Sequence, residues 1–304
     1  MEVTGRCLSK STIWSPQLWS EILERPPQDC GEDAFIAHRK MIAVADGVGG
    51  WASRGVSSKE FSERLMKEAR SLFVSAQTLH PLDLVEDASA IVRRHVQYGS
   101  TTCCAAMLTR STIFTRAESG KTLPPSEPTP PMKGSSEELV SNLYVANIGD
   151  SGLMVVRDGA IVFTSKETNH GFNFPKQIAC SGGGNDSMAN DGWSGVFRVR
   201  PRDVVVAATD GVWDNLKASS AAAIVAKHLS RCSEEAAESR CGAEIAAEIV
   251  RAAAANGTGR SLIPWNIKNR YFGMVGGKPD DTTVVVGVIK TSGYPLAKEN
   301  EGRS

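Results

Sequence analysis

Acidic residues recur where apolar runs begin or stop. Glu32-Asp33 opens DAFIAH, and MIAVADG closes on Asp46. YVANIGDS closes on Asp150, and DVVVAATDGVWD on Asp210, with Asp214 four residues later. Asp280-Asp281 stands directly before TTVVVGV. One Asp-Gly step is an ordinary way to turn out of a sheet. A set of acids bordering separate strands is another matter. Carboxylates gathered at one sheet edge repel one another, and desolvation raises their pKa values further. A fold tolerates such a cluster when cations neutralise it. Hard oxygen donors without Cys or His partners indicate Mg²⁺ or Mn²⁺ rather than zinc. A glycine after the aspartate, as at Gly47, lets a backbone carbonyl approach a metal and leaves room for water and substrate. Two such ions acidify a water molecule and neutralise phosphate oxygens during in-line attack. The chemistry implied is phosphoester hydrolysis without a covalent enzyme intermediate. The chain contains no G-x-x-x-x-G-K-[ST] loop, which argues against nucleotide triphosphate use by that route.

The elements that must position these acids are legible as strands interleaved with helix pairs. Residues 33–45 read as two short strands with His38, Arg39 and Lys40 at the turn between them. Residues 57–73 carry apolar side chains at helical spacing, with Ser57 or Ser58 as N-cap, and residues 82–98 repeat the pattern after Pro81. GSTTCCAAML (99–108) reads as a strand buried on both faces. Strands follow at 142–149 and 153–163, the latter folded at Asp158-Gly159. Further strands are expected at 203–211 and 282–289, and alanine-rich helices at 218–230 and 241–255. Because βαβ alternation is missing, the expected class is α+β: a four-layer α-β-β-α sandwich with two antiparallel sheets flanked by helix pairs.

Composition narrows the partners. The 304 residues suffice for one large domain, with 41% apolar and 22% charged residues. Thirty-four basic residues balance 34 acidic ones, so nothing calls for nucleic acid or an anionic membrane. No apolar run approaches a membrane span. The seven cysteines are odd in number and form no C-x-x-C pair, which predicts reduced thiols rather than a disulfide framework or a zinc site. The N-terminus lacks a secretory apolar core and is short of arginine for a transit peptide. An intracellular protein, cytoplasmic or mitochondrial and not secreted, is expected.

Six segments carry a resemblance: GEDAF (31–35), ADGVGGW (45–51), GSTTC (99–103), NIGDSG (147–152), ATDGVWDN (208–215) and PDDTTVVV (279–286). In that order they resemble the motifs of the metal-dependent protein phosphatases of type 2C, across roughly residues 30–290. DGVGGW and NHGFNFPKQ (169–177) are similar to a eukaryotic branch that includes mitochondrial members. The resemblance implies a Mg²⁺- or Mn²⁺-dependent serine/threonine phosphatase with two or three ions, acting on phosphoproteins, and expected to be monomeric. It implies that Asp46 bridges two metals, that the Gly47 carbonyl binds one, and that Asp210 and Asp280 are direct ligands. Glu32 and Asp33 would act on the metal shell through water, and Asp150 and Asp214 match a third metal position. Domain limits follow: an extension over 1–29, the catalytic domain over 30–290 with a Pro-rich loop at about 117–138, and a tail over 291–304.

The chain departs from the family pattern in four places. Gln28 stands where many relatives place a phosphate-holding arginine, with Arg25 three residues earlier. Val48 replaces a histidine proposed as general acid. Gly152 replaces the arginine of Gly-Asp-Ser-Arg. Asp281 stands where many relatives carry asparagine, which favours Asp280 as the ligand and leaves Asp281 open. Arg54 is a candidate for phosphate binding. Among the histidines, His38 reads as a turn residue, His95 and His228 as helix-surface residues, and His170 as the one to test for catalysis. Two alternatives stay open: a pseudophosphatase that binds without turnover, and a hydrolase of small phosphoesters.

Overall fold

The valine-rich runs form the middle of a sheet. β13 (Val204–Ala208) lies between β14 (Thr282–Val288) and β7 (Gly152–Arg157), with β1 (Glu2–Leu8) and β8 (Ala160–Thr164) at the edges. β13 and β14 are buried along their whole length. Both faces are covered, so the alternation of apolar and polar residues disappears. The second sheet has the order β12-β6-β5-β3-β2. Its strands are β2 (Asp33–His38), β3 (Met41–Asp46), β5 (Cys103–Arg116), β6 (Ser135–Ile148) and β12 (Trp193–Val199). Small ladders add β4 (Ser100–Thr101) with β11 (Ile178–Ala179), and β9 (Asn169–Gly171) with β10 (Phe174–Pro175). All the strand pairs are antiparallel. This computed structural model describes residues 1–14, 29–75, 80–116, 135–180, 191–232, 237–260, 263–268 and 276–290.

Three apolar layers fix the architecture. Ile42, Val44, Ala106, Val145, Val205 and Val285 fill the space between the sheets. Helices α1 (Lys59–Ser75) and α2 (Pro81–Val92) cover the outer face of the β2–β3–β5 sheet through Phe61, Leu65, Leu84 and Val85. After the short α3 (Asp210–Trp213), α4 (Ala218–Leu229) and α5 (Ala237–Gly257) cover the other sheet through Ala221, Val225, Ile245 and Ile249. α6 (Pro264–Lys268) follows. The α-β-β-α sandwich expected from the sequence is the fold observed.

Local chemistry explains several boundaries. His80 caps α2 by accepting the Leu82 N–H at 3.3 Å, and Pro81 occupies the first turn. Asp158 and Gly159 both have positive φ, 50° and 80°, as a two-residue hairpin turn requires. The 203–211 strand stops at Ala208, because Thr209 caps a helical turn that begins at Asp210. GSTTCCAAML divides into β4 and β5. β6 begins at Ser135, inside the expected Pro-rich loop, whose residues 117–134 lie outside the described residues. Residues 2–8, set ahead of the catalytic stretch on sequence, form an edge strand on β14.

Two sequence expectations are corrected. Cys7 and Cys30 form a disulfide, with Cα atoms 5.2 Å apart, whereas the sequence predicts reduced thiols throughout. Spacing alone did not reveal that β1 joins the sheet and carries Cys7 beside the segment entering β2. Cys103, Cys104, Cys180, Cys232 and Cys241 are free and buried. His228, read as a helix-surface residue, is buried; its Nε2 lies 2.6 Å from Glu248 and its Nδ1 3.3 Å from Glu244, both on α5. His95 lies in the exposed turn after α2.

The disulfide closes a sequence separation of 23 residues. Chain-entropy reasoning assigns a loop of that size about 3 kcal/mol. Cys30→Ser should lower unfolding stability by about that amount in urea titrations without reductant. Dithiothreitol should bring the parent down to the variant; equal stabilities in oxidising buffer would disprove the contribution.

Candidate metal centre

The centre is built from the ends of both sheets. Asp33 opens β2 and Asp46 ends β3, directly opposite each other in the antiparallel register. Like charges in opposed positions repel. Asp210 begins α3, immediately after β13. Asp150 lies on the link from β6 to β7, and Asp280 stands just before β14. Carboxylate oxygens of Asp46, Asp150 and Asp210 all lie within 4.8 Å of one another.

Backbone contacts hold this arrangement. The Asp46 carbonyl accepts the Thr102 N–H at 2.9 Å and the Thr101 hydroxyl at 2.8 Å. Gly47 donates to the Glu32 carbonyl at 3.2 Å, and its backbone packs too close to Glu32 and Ser58 for a side chain. The Thr209 hydroxyl donates to Asp33 Oδ2 at 2.8 Å, joining the two sheets. Glu32 turns its carboxylate toward α1, where Oε1 accepts the Ser58 N–H at 3.0 Å.

The adjacent acids Asp280 and Asp281 have different surroundings. Asp281 accepts the Glu32 N–H at 2.7 Å on one oxygen and the Lys10 N–H on the other. It ties β14 to the segments that carry Cys30 and follow β1. Gly31 has φ +68°, and a Cβ there would run into the Asp281 carboxylate. Asp280 instead faces Lys278, at 3.3 Å.

Sequence reasoning missed Lys278. Its ammonium bonds Asp210 and lies 2.9 Å from Asp214, and its charge sits 5.2 Å above the Trp265 ring. Lys268 reaches Asp214 from the other side at 3.2 Å and also pairs with Glu167 at 3.2 Å. A single lysine two residues before an Asp-Asp pair was the available signal.

The charges are strongly interdependent. Burial, followed by repulsion from Asp210, pushes Asp46 well above the usual carboxylate range. Burial and then the Asp281 charge do the same to Asp33. Burial and the Asp210 charge raise Asp150 to about 8 and Asp280 to about 6. Burial is the largest influence on Asp210 and works to raise it too, yet the Lys278 and Lys268 charges and the hydrogen bonds from Lys278 and Asp46 together hold this carboxyl below its ordinary value. Burial opposes the Lys278 charge, but Asp210, Asp214 and Asp280 together raise its pKa. Asp33 Oδ1 and Asp150 Oδ1 are buried without a hydrogen-bond partner. Convergent, under-satisfied carboxylate oxygens fit a hard divalent cation.

The other candidates lie elsewhere. Arg54 follows the glycine turn, exposed, with its guanidinium 5.2 Å above the Trp51 ring. His170 is on exposed β9, 5.1 Å from the Phe174 ring. Arg25 and Gln28 lie outside the described residues. At Val48, the N–H donates to the Ser100 carbonyl and the carbonyl accepts the Ser58 hydroxyl. Cys104 and Arg110 have the C-x5-R spacing of cysteine-dependent phosphatases, but both lie on β5 rather than in a loop. The Cys104 thiol is buried and its pKa is pushed up to about 12, so it is no nucleophile.

An acid whose folded pKa is raised keeps its proton after the unfolded chain has lost it. Its stabilisation is present below the unfolded value, 3.8 for Asp150, and is lost as pH rises through about 8. Urea titrations in chelator should show the ion-free protein losing stability across that window, and Asp150→Asn should flatten the slope. An unchanged slope would contradict the placement of Asp150 among these charges.

No family model matches the chain. "Probable protein phosphatase 2C 55" of Arabidopsis thaliana is 32% identical over 278 residues, covering 90% of this chain and 50% of the relative. The "5-azacytidine resistance protein azr1" of Schizosaccharomyces pombe is 31% identical, covering 88% and 84% respectively. "Protein phosphatase PTC7 homolog fig" of Drosophila erecta is 29% identical over 88% of this chain and 79% of its own length. The chain thus spans half the length of the Arabidopsis relative and most of the other two. Among solved structures, the photosystem II phosphatase PBCP superposes with a TM-score of 0.67 at 21% identity, covering 95% of this chain and 98% of that one. The catalytic domain of the serine threonine protein phosphatase PstP, in complex with two manganese ions, gives a TM-score of 0.53 at 15% identity over 95% and 98%.

Proposed function

The chain belongs to the type 2C family of metal-dependent serine/threonine protein phosphatases, and from that premise we propose that it hydrolyses phosphoserine and phosphothreonine in phosphoprotein substrates. The observation that carries this reading is the convergence of the Asp46, Asp150 and Asp210 carboxylates within 4.8 Å. Asp46, the Gly47 carbonyl, Asp210 and Asp280 would hold two Mg²⁺ or Mn²⁺ ions, and Asp150 and Asp214, with Asp210, a third. When bound, such ions supply an acidified water and neutralise phosphate oxygens.

The chain's own groups supply position. Asp33, opposite Asp46 and hydrogen-bonded to Thr209, is placed to accept a bond from water at the centre. Glu32 acts by positioning: its N–H donates to Asp281, and its carboxylate accepts the Ser58 N–H at the start of α1. Asp281 is a positioning residue, which leaves Asp280 to face the cations. Arg54 and His170 have no assigned role in the chemistry.

The pseudophosphatase alternative keeps the fold and loses turnover; the acids at 46, 210 and 280 speak for the enzyme. Among the described residues no helix is long and apolar enough to cross a membrane. A monomer is the proposed state. A cytoplasmic or mitochondrial placement follows from the branch resemblance. The Cys7–Cys30 bond makes redox state part of that question, since thiols stay reduced in most cytosolic proteins.

Asp210→Asn should abolish Mn²⁺-dependent turnover of a phosphothreonine peptide, by about a hundredfold or more, while circular dichroism shows the fold retained. Lys278 keeps Asp214 and Asp280 as partners in that variant. Activity within tenfold of the parent would refute the ligand assignment. Undetectable turnover by the metal-loaded parent would leave the binding-module reading.

A further inference from the structure

An open cavity of about 440 Å³ adjoins the metal centre, and Asp150 lines it. Its walls are apolar: Leu153, Met154, Trp213, Leu216, Pro264 and Ile267. The Trp213 indole is pinned edge-on, donating to the Ala208 carbonyl at 2.9 Å, so that wall is rigid. Ile267, at 49% exposure, offers an apolar surface that no core layer needs. Lys217 and Lys268 stand in the lining with the acids Asp150 and Glu167, and Lys268 pairs with Glu167 at 3.2 Å, so the charges at the rim balance.

Gly152 keeps the cavity open. A Cβ at this position would lie 3.2 Å from Trp213 Nε1 and 3.5 Å from Ser165 Oγ, both groups of lining residues. A longer side chain there would project into the space. This is also the position where the sequence departs from Gly-Asp-Ser-Arg, so the departure has a spatial consequence.

The geometry points to a specificity pocket that takes a large apolar side chain of the substrate, within about three residues of the phosphorylated one. Three extended residues reach about 10 Å, enough to span from a phosphate at the metals into a cavity sharing Asp150. The inference rests on the phosphatase reading of the centre. The apolar walls favour leucine, methionine or phenylalanine over lysine or arginine, whose charge would have to leave water. Moving one such side chain out of water gives a preference of about tenfold to a hundredfold.

The test compares kcat/KM on phosphothreonine peptides that carry leucine, serine or lysine at each position from three before to three after the phosphothreonine, in Mn²⁺. At one position the parent should prefer leucine to serine at least tenfold, with lysine poorest. Gly152→Leu fills the pocket and Ile267→Gln makes its exposed wall polar; both should bring the leucine-to-serine ratio below about threefold. If Gly152→Leu fails to fold, Ile267→Gln decides, because its site is exposed. Equal parent rates at every position, or ratios unchanged in the variants, would overturn the pocket. Turnover of p-nitrophenyl phosphate separates the two failures: if the parent hydrolyses neither it nor any peptide, the phosphatase reading falls and the pocket's role with it.

Discussion

Carboxylates that must approach one another inside a fold repel, and everything near this centre works against that repulsion. Burial makes it worse by removing the water that would screen the charges. The chain answers mostly with backbone. The Asp46 carbonyl is held by Thr101 and Thr102, Asp281 by two peptide N–H groups, and Asp33 by the Thr209 hydroxyl. These bonds fix where the backbone presents Asp46 and how Asp33 and Asp281 are oriented. A centre held in this way would be preorganised for the cations proposed for it.

Lys278 is the chain's own partial answer to the same problem. One ammonium spans Asp210, Asp214 and Asp280. A half-buried charge of this kind is stabilised by pairing, and here the pairing helps hold Asp210 ionised while its neighbours are driven toward protonation. Lys268 on Asp214 and Lys10, 3.7 Å from Asp280, add to that answer at the margin of the cluster. Among the described residues two carboxylate oxygens, on Asp33 and Asp150, remain without a partner, and these are what the proposed divalent ions would meet.

The sequence carried more of this than it hid. The acids at strand ends were legible because each interrupts an apolar run, and the antiparallel sandwich because helices come in pairs without βαβ alternation. What stayed hidden depends on tertiary pairing. β1 is short and mixed in character, and only its register against β14 makes it a strand and brings Cys7 to Cys30. The division of labour between Asp280 and Asp281 cannot be read from two identical neighbours; it follows from which one meets the Glu32 and Lys10 amides. Lys278 and His228 look like surface charges in one dimension; the acids of other elements make the one a half-buried and the other a buried partner.

The two sheets contribute different members of the cluster. Asp33 and Asp46 come from the β2–β3 edge, Asp210 and Asp280 from the ends of β13 and β14, and Asp150 from the link that crosses between them. The distance between the first pair and the second is therefore not set locally. It is set by how closely the sheets pack, through the layer containing Ile42, Val44, Val205 and Val285. Packed sheets keep a spacing of about 10 Å because their side chains interdigitate at crystal-like density. The apolar layer thus serves as the ruler for the metal centre, and the Thr209–Asp33 hydrogen bond is the point where that ruler meets the chemistry. A carboxylate cluster assembled across two sheets inherits its precision from residues that never touch it.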